Sequence, residues 1–205
     1  MSFMVMQLVG FGAGGTAHAT LDSATNINAG TLSGGDLVYD NTSASGNLIR
    51  STIERASAKF YYETTLTTHS SAGSGWGYVG VIQTAQATTS PTSLASVAAG
   101  HWLWRDDRYR SNNGTEATLG TAWAVNDVIM VACDPTTGHL WWGKNGTWAA
   151  GDPAVGTGAT YTNLTGAIKA AVGIMGTAQN VVFTCNFGAT AFAYTPPSGF
   201  AALTS

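Results

Sequence analysis

Hydrophobic positions along this 205-residue chain do not recur at helical spacing. Apolar stretches are short and rich in β-branched and aromatic residues. Clusters of Gly, Asn, Ser and Thr separate them, the pattern of strands joined by turns. Strands are predicted at 36–40 (DLVYD), 47–55 (NLIRSTIER), 59–68 (KFYYETTLTT), 75–83 (GWGYVGVIQ) and 101–105 (HWLWR). Further ones are predicted at 108–111, 125–134 (VNDVIMVACD), 139–143, 168–175 (IKAAVGIM) and 180–187 (NVVFTCNF). Gly75 and Gly77 alternate with larger residues, which lets a facing layer approach closely. Residues 84–100 (TAQATTSPTSLASVAAG) read as a long surface loop with one short helical turn. Turns are expected at Asp106-Asp107, at Asn113-Gly114 and over 134–138 (DPTTG).

Asn145-Gly146 is the strongest local signal, a two-residue type I′ hairpin turn. It pairs Lys144 with Thr147 and Gly143 with Trp148, so Trp141 and Trp148 share a face and Trp148 lies over the bare glycine. Residues 194–200 (YTPPSGF) are too proline-rich for an inner strand and are expected to cover a sheet edge in extended form. Ten to twelve strands, no substantial helix and no composition break over 20–205 predict one all-β domain. Its architecture is a two-sheet antiparallel β-sandwich preceded by a short N-terminal arm, residues 1–19.

Composition narrows the function classes. Charged residues make up 9% of the chain, against about 25% in ordinary globular domains. Hydrophobic residues reach 44%, with seven each of Trp, Tyr and Phe, so the chain folds rather than remaining disordered. Its surface is therefore neutral and rich in hydroxyls. Net charge is −3 and the first of eight basic residues is Arg50. With no basic stripe to neutralise phosphates, nucleic acid is not an expected partner. No apolar run reaches the ~18 residues of a membrane span. Cys133 and Cys185 sit in apolar, strand-like runs and are read as buried thiols, with a bridge between them as the alternative.

The arm reads MSFMVMQLV, then GFGAGG, then TAHA. Ala17-His18-Ala19 resembles a signal-peptide cleavage site, but the basic leader that should precede it is missing. An apolar, uncharged arm suits docking onto a partner, with Phe3, Val5, Leu8, Val9 and Phe11 as its contacts. Gly10, Gly12 and Gly15 match a dinucleotide fingerprint, yet 16–30 shows no helical period behind them. Gly138, Gly143 and Lys144 nearly match a P-loop, but the magnesium-binding Ser/Thr is absent and a hairpin follows. No cofactor is expected.

Catalytic chemistry finds little footing. Glu54, Glu63 and Glu116 are widely spaced, unlike the carboxylate pair of a glycosidase. His18, His69, His101 and His139 lack metal-ligand spacing, so neither a catalytic nor a metal site is expected. The outlier is 101–110 (HWLWRDDRYR), where three of the eight cations stand beside three aromatics. Strand alternation puts Trp102 and Trp104 on one face. Either both are core, or Trp102, Trp104, Arg105, Arg108 and Tyr109 form an exposed aromatic–arginine patch of the kind that dominates binding surfaces.

Taken in order, KFYYETTL (59–66), GWGYVGV (75–81), NDVIMVACDPTTGHLWWGKNGTW (126–148), AAVGIM (170–175) and NFGATAFAYTPPSGF (186–200) resemble a SPRY domain. Gly151-Asp152-Pro153-Ala154, Gly156-Thr157-Gly158 and the 192–200 ending are similar to the variant in tailed-phage structural proteins. Cys133 departs from the commoner pattern, where an aliphatic residue is usual. The resemblance implies a concanavalin-like jelly roll that binds without catalysis, through loops at one edge. It also implies a virion structural protein: a decoration, head-fibre or tail-associated subunit. In that setting the arm docks onto other virion proteins, the assembly is a homo-oligomer with a trimer favoured, and the sandwich meets a host glycan or surface protein. The alternative is a secreted, extracellular carbohydrate- or protein-binding module with Trp102 and Trp104 as its platform.

Overall fold

The computed structural model describes residues 16–26, 28, 30–41, 46–70, 76–89, 91–176 and 180–205. The docking contacts expected of Phe3, Val5, Leu8, Val9 and Phe11, and the glycine fingerprint at 10–15, lie outside them. In chain order the strands are β1 (Thr31–Ser33), β2 (Val38–Asn41), β3 (Asn47–Arg55), β4 (Phe60–His69), β5 (Trp76–Gln83), β6 (His101–Arg105) and β7 (Tyr109–Asn112). They continue with β8 (Thr115–Thr118), β9 (Val128–Asp134), β10 (His139–Lys144), β11 (Thr147–Trp148), β12 (Ile168–Met175), β13 (Val181–Asn186) and β14 (Ala201–Ala202). Helix among the described residues is confined to two one-turn 3₁₀ segments, Ser23–Thr25 and Leu94–Ser96.

Two sheets form an all-β sandwich. The smaller runs β3-β12-β5-β6-β7-β8, with every pair antiparallel. The larger runs β1-β2-β13-β4-β9-β10-β11, also antiparallel, and β14 adds to β4 as a parallel pair. Alternation along the strands builds the interior. Val79 and Val81 of β5, Trp102 and Trp104 of β6, and Ile168 and Val172 of β12 point inward from the smaller sheet. Tyr62, Ile129, Val131, Trp142 and Phe183 meet them from the larger. Gly77 lets the sheets close: a Cβ there would stand 2.6 Å from the Phe183 ring.

Both outer faces are covered as well. Tyr78, Ile82, Leu103 and Met175 on the smaller sheet lie beneath Leu94 and Val97 of the 84–100 loop. Arg50 Nη1 holds that loop by donating to the carbonyls of Thr84 (3.1 Å) and Gln86 (3.2 Å), and Ser111 Oγ donates to the Leu94 carbonyl at 2.8 Å. The loop is thus a lid rather than a bare surface excursion. On the larger sheet, Phe192, Tyr194 and Phe200 pack over Tyr61, Met130, Ala132 and Trp141. The proline-rich tail therefore covers a sheet face, and its end runs on as β14 beside β4.

The hairpin register is as expected, Gly143 opposite Trp148 and Lys144 opposite Thr147. Strand β9 starts at Val128 rather than at 125, because Asn126 (φ 74°) and Asp127 make a turn whose amides bond to Leu66 and Ala124. Cys133 and Cys185 are free and buried. They lie on β9 and β13, which flank β4 on opposite sides, opposite Phe60 and Thr64 respectively. Two strand spacings, about 9.6 Å, exceed the ~7 Å Cα limit of a disulfide. Burial pushes the Cys185 thiol up to about 12 and raises Cys133 well above its ordinary value.

The arm's C-terminal boundary moves. Ala19 N donates to the Leu203 carbonyl (2.9 Å), Ser205 N to Ala17 (2.9 Å), and Leu21 bridges Ser51. Ala19 and Leu21 are fully buried, so residues 17–19 belong to the sandwich rather than to the arm.

Candidate binding site

The first candidate residues to place are Trp102 and Trp104. They do share a face, but it is the interior one, and they are only 2% and 1% exposed. Trp102 Nε1 donates to Asn163 Oδ1 at 2.9 Å. Trp104 packs edge-on against Trp123, with centroids 5.0 Å apart, and lies tilted beside Trp142 at 6.3 Å. Neither tryptophan is a surface platform. His101, Leu103 and Arg105 alternate with them and point to the lid side.

The rest of the segment does form a surface cluster, with Trp76 added. The Arg105 guanidinium lies 4.2 Å from the Trp76 ring centroid and 5.8 Å from that of Tyr109. Asp107 fixes it with a two-point contact, Nε to Oδ1 at 2.7 Å and Nη2 to Oδ2. Arg108 stands exposed at the turn with a left-handed backbone, φ 76°. Trp76, Arg105 and Tyr109 are half-buried. A stacked guanidinium of this kind contributes roughly 0.5–1 kcal/mol at an exposed site. Nothing local in the sequence marks Trp76 as a member, since β5 and β6 bring it there by pairing Tyr78 with Arg105.

Asp106 is the buried latch beneath this cluster. Its Oδ2 accepts from Gly77 N at 2.8 Å and lies 3.0 Å from His69 Nε2. Its carbonyl accepts from Trp123 N at 2.7 Å. One turn residue thereby ties the end of β4, the start of β5 and the approach to β9. Arg110 leaves the cluster and lies 4.6 Å from the Tyr161 ring centroid.

The other polar candidates have structural partners. Glu63 is buried at 3% exposure and takes Tyr61 Oη (2.7 Å), Tyr194 N (2.8 Å) and Ala193 N (2.7 Å). Lys144 sits on a strand, donates to the Ala122 carbonyl (2.7 Å) and lies 3.1 Å from Asp127. Among the described residues no group of His, Cys, Asp and Glu is placed to hold a metal. No helix among them is long and apolar enough to cross a membrane.

A cleft of about 240 Å³ at the β8/β11 side of the sandwich is lined by Trp104, Gly120, Thr121, Lys144, Thr147 and Trp148. The Arg105 cluster lies away from the chain termini, while Lys144 of the cleft is level with Ile129 and Thr64, midway along β4. Arg55 Nη2 to Thr204 (3.3 Å) and the Ala201–Phe60 pair mark one end of the sandwich. The His69–Asp106 contact and the Met175–Trp76 pair mark the other. Ten residues of β4 separate the two ends, about 30 Å at ~3.3 Å per residue.

No family model and no curated protein matches the sequence. Solved structures do match the fold. The chain is similar to the SPRY domain of human HERC1 with a TM-score of 0.67 and 14% identity, over 83% of this chain and 99% of that one. It is similar to stonustoxin with a TM-score of 0.60 and 17% identity, over 83% of this chain and 27% of that one. The architecture is SPRY-like, a fold-level likeness that carries no residue roles with it.

Proposed function

We propose that this chain is a non-enzymatic display module of a tailed-phage virion. It is anchored through its N-terminal arm and offers the far end of its SPRY-like sandwich to a host glycan or surface protein. The observation that carries this reading is the polarity of the molecule. The first described residues and the C-terminus are bonded together at one end. The stacked Arg105, Trp76 and Tyr109, with exposed Arg108, stand at the other. Residues 1–16 contain no Asp, Glu, Lys or Arg, so attachment through them is apolar. The buried fates of Glu63 and Asp106 support binding rather than turnover. A homo-oligomer, with a trimer favoured, would multiply a weak contact by avidity.

Gradient-purified particles test the proposal. Mass spectrometry should find the chain on them at fixed copy number, retained through washes at about 1 M salt because apolar docking is not screened. Finding it only in the particle-free supernatant removes the virion reading and leaves the secreted binding module.

A further inference from the structure

His101 opens β6 on the same side of the smaller sheet as Leu103, and so lies under the 84–100 lid. It is 1% exposed. Beyond a backbone contact with Ala87 of the lid, neither ring nitrogen has a hydrogen-bond partner of ordinary geometry among the described residues. An imidazole in such a place is tolerated while neutral and costly once charged.

Its surroundings offer a charged ring nothing. The lid itself contains no Asp, Glu, Lys or Arg. From β3 comes Arg50, whose Nη1 holds the carbonyls of Thr84 and Gln86 and whose charge opposes a second one beside it. Across β5 and β12 the row through His101 continues as Ile82 and then Lys169, another cation, which donates to the Thr52 carbonyl at 3.3 Å. Burial raises the Tyr78 hydroxyl of β5 well above its ordinary value, so it stays neutral. On β6 itself, Arg105 is matched by Asp107. The carboxylates on this side are Glu54, opposite Lys169, and Glu116 of β8, opposite Ser111. Both are exposed, and neither bonds to His101.

The lid is held by little. Leu94 and Val97 are its buried apolar anchors. Thr84 N donates to the Ala167 carbonyl (2.7 Å), Gly114 N to Val97 (2.9 Å) and Ser111 Oγ to Leu94 (2.8 Å), beside the two Arg50 bonds. Lifting the segment brings His101 into water without parting any two strands, so it requires less free energy than unfolding the sandwich.

We propose that residues 84–100 form an acid-released lid: protonation of His101, beside Arg50 and out of reach of any carboxylate, drives the segment off the smaller sheet and uncovers the apolar face of Tyr78, Ile82 and Leu103. The sign follows from burial, which lowers the pKa of His101 from the ordinary 6.5, with Arg50 adding to the effect and the Ala87 contact opposing it. The lifted state, with its ring in water, takes the proton more readily. The lid is therefore fully held above about pH 6.5. Below that, the ratio of lifted to closed chains rises by up to about tenfold per pH unit.

Residue-resolved amide hydrogen exchange on the full chain tests this between pH 7 and 5, after correction for the intrinsic pH dependence of exchange. The amides of Thr84 and Gly114 should lose protection by at least about fivefold. Those of β9, in the larger sheet, should keep theirs. His18, His69 and His139 titrate over the same range, so His101→Gln is the control and should abolish the loss at Thr84 and Gly114. If that variant folds poorly, the ring signals of His101 in the unaltered chain give a second reading, and their midpoint should coincide with that of the lid amides. The proposal is overturned if lid protection does not change, if the β9 amides lose protection in step with it, if His101→Gln retains the loss, or if the ring titrates apart from the lid.

Discussion

His101 sits beneath the 84–100 lid, 1% exposed, across from Ile82 on β5. Burial lowers its pKa from the ordinary 6.5, and Arg50 adds to the effect while a backbone contact with Ala87 opposes it. The unfolded chain therefore binds the proton more readily than the fold does. Stability should be full above about pH 6.5 and decline as pH falls below it, by at most about 1.4 kcal/mol per pH unit. His101→Gln should flatten that decline between pH 6.5 and 5, read from urea midpoints; an unchanged slope would remove His101 from the account. Trp104 gives a second test at this scale. As a core residue, Trp104→Ala should cost about 3–5 kcal/mol, whereas a surface platform would lose binding with stability intact. Strand alternation makes it legible that Trp102 and Trp104 go together. It does not say which way they face, because both sides of the smaller sheet are covered and β5 is buried on both faces.

The elements that carry the site are held by contacts remote in sequence. The tail over the larger sheet is fixed by Glu63, which reaches across some 130 residues to the amides of Ala193 and Tyr194. Glu63→Leu should cost about 2–3 kcal/mol by orphaning those amides. It should also open the tail to limited proteolysis between Thr190 and Pro196, with the cuts mapped by mass spectrometry. The hairpin at Asn145-Gly146 shows the opposite case, where local chemistry is enough. Gly146 has φ 82°, and a Cβ there would lie 2.9 Å from the Tyr194 ring. Gly146→Ala should therefore lower the urea midpoint by the equivalent of about 1 kcal/mol or more. Turn, register and the Trp148-over-Gly143 contact were readable because the residues are neighbours in the chain. The Asp106 latch, the tail's partner face and the role of Trp76 were not, since each depends on which strands pair across the sandwich.

At the scale of the molecule, the proposed attachment and recognition surfaces lie at opposite ends of the sandwich. Residues 17–21 and 201–205 knit one end, and the Arg105 cluster lies toward the other. The fold class was legible from strand spacing and turn chemistry, while this polarity emerges only from the strand order. Thiol footprinting of intact particles carrying the full chain tests it most directly. The native Cys133 and Cys185 are buried and should stay silent. With single substitutions at the two ends, Arg108→Cys should react with a maleimide on the particle and Thr204→Cys should be shielded. A particle on which Thr204→Cys reacts and Arg108→Cys does not would contradict the account.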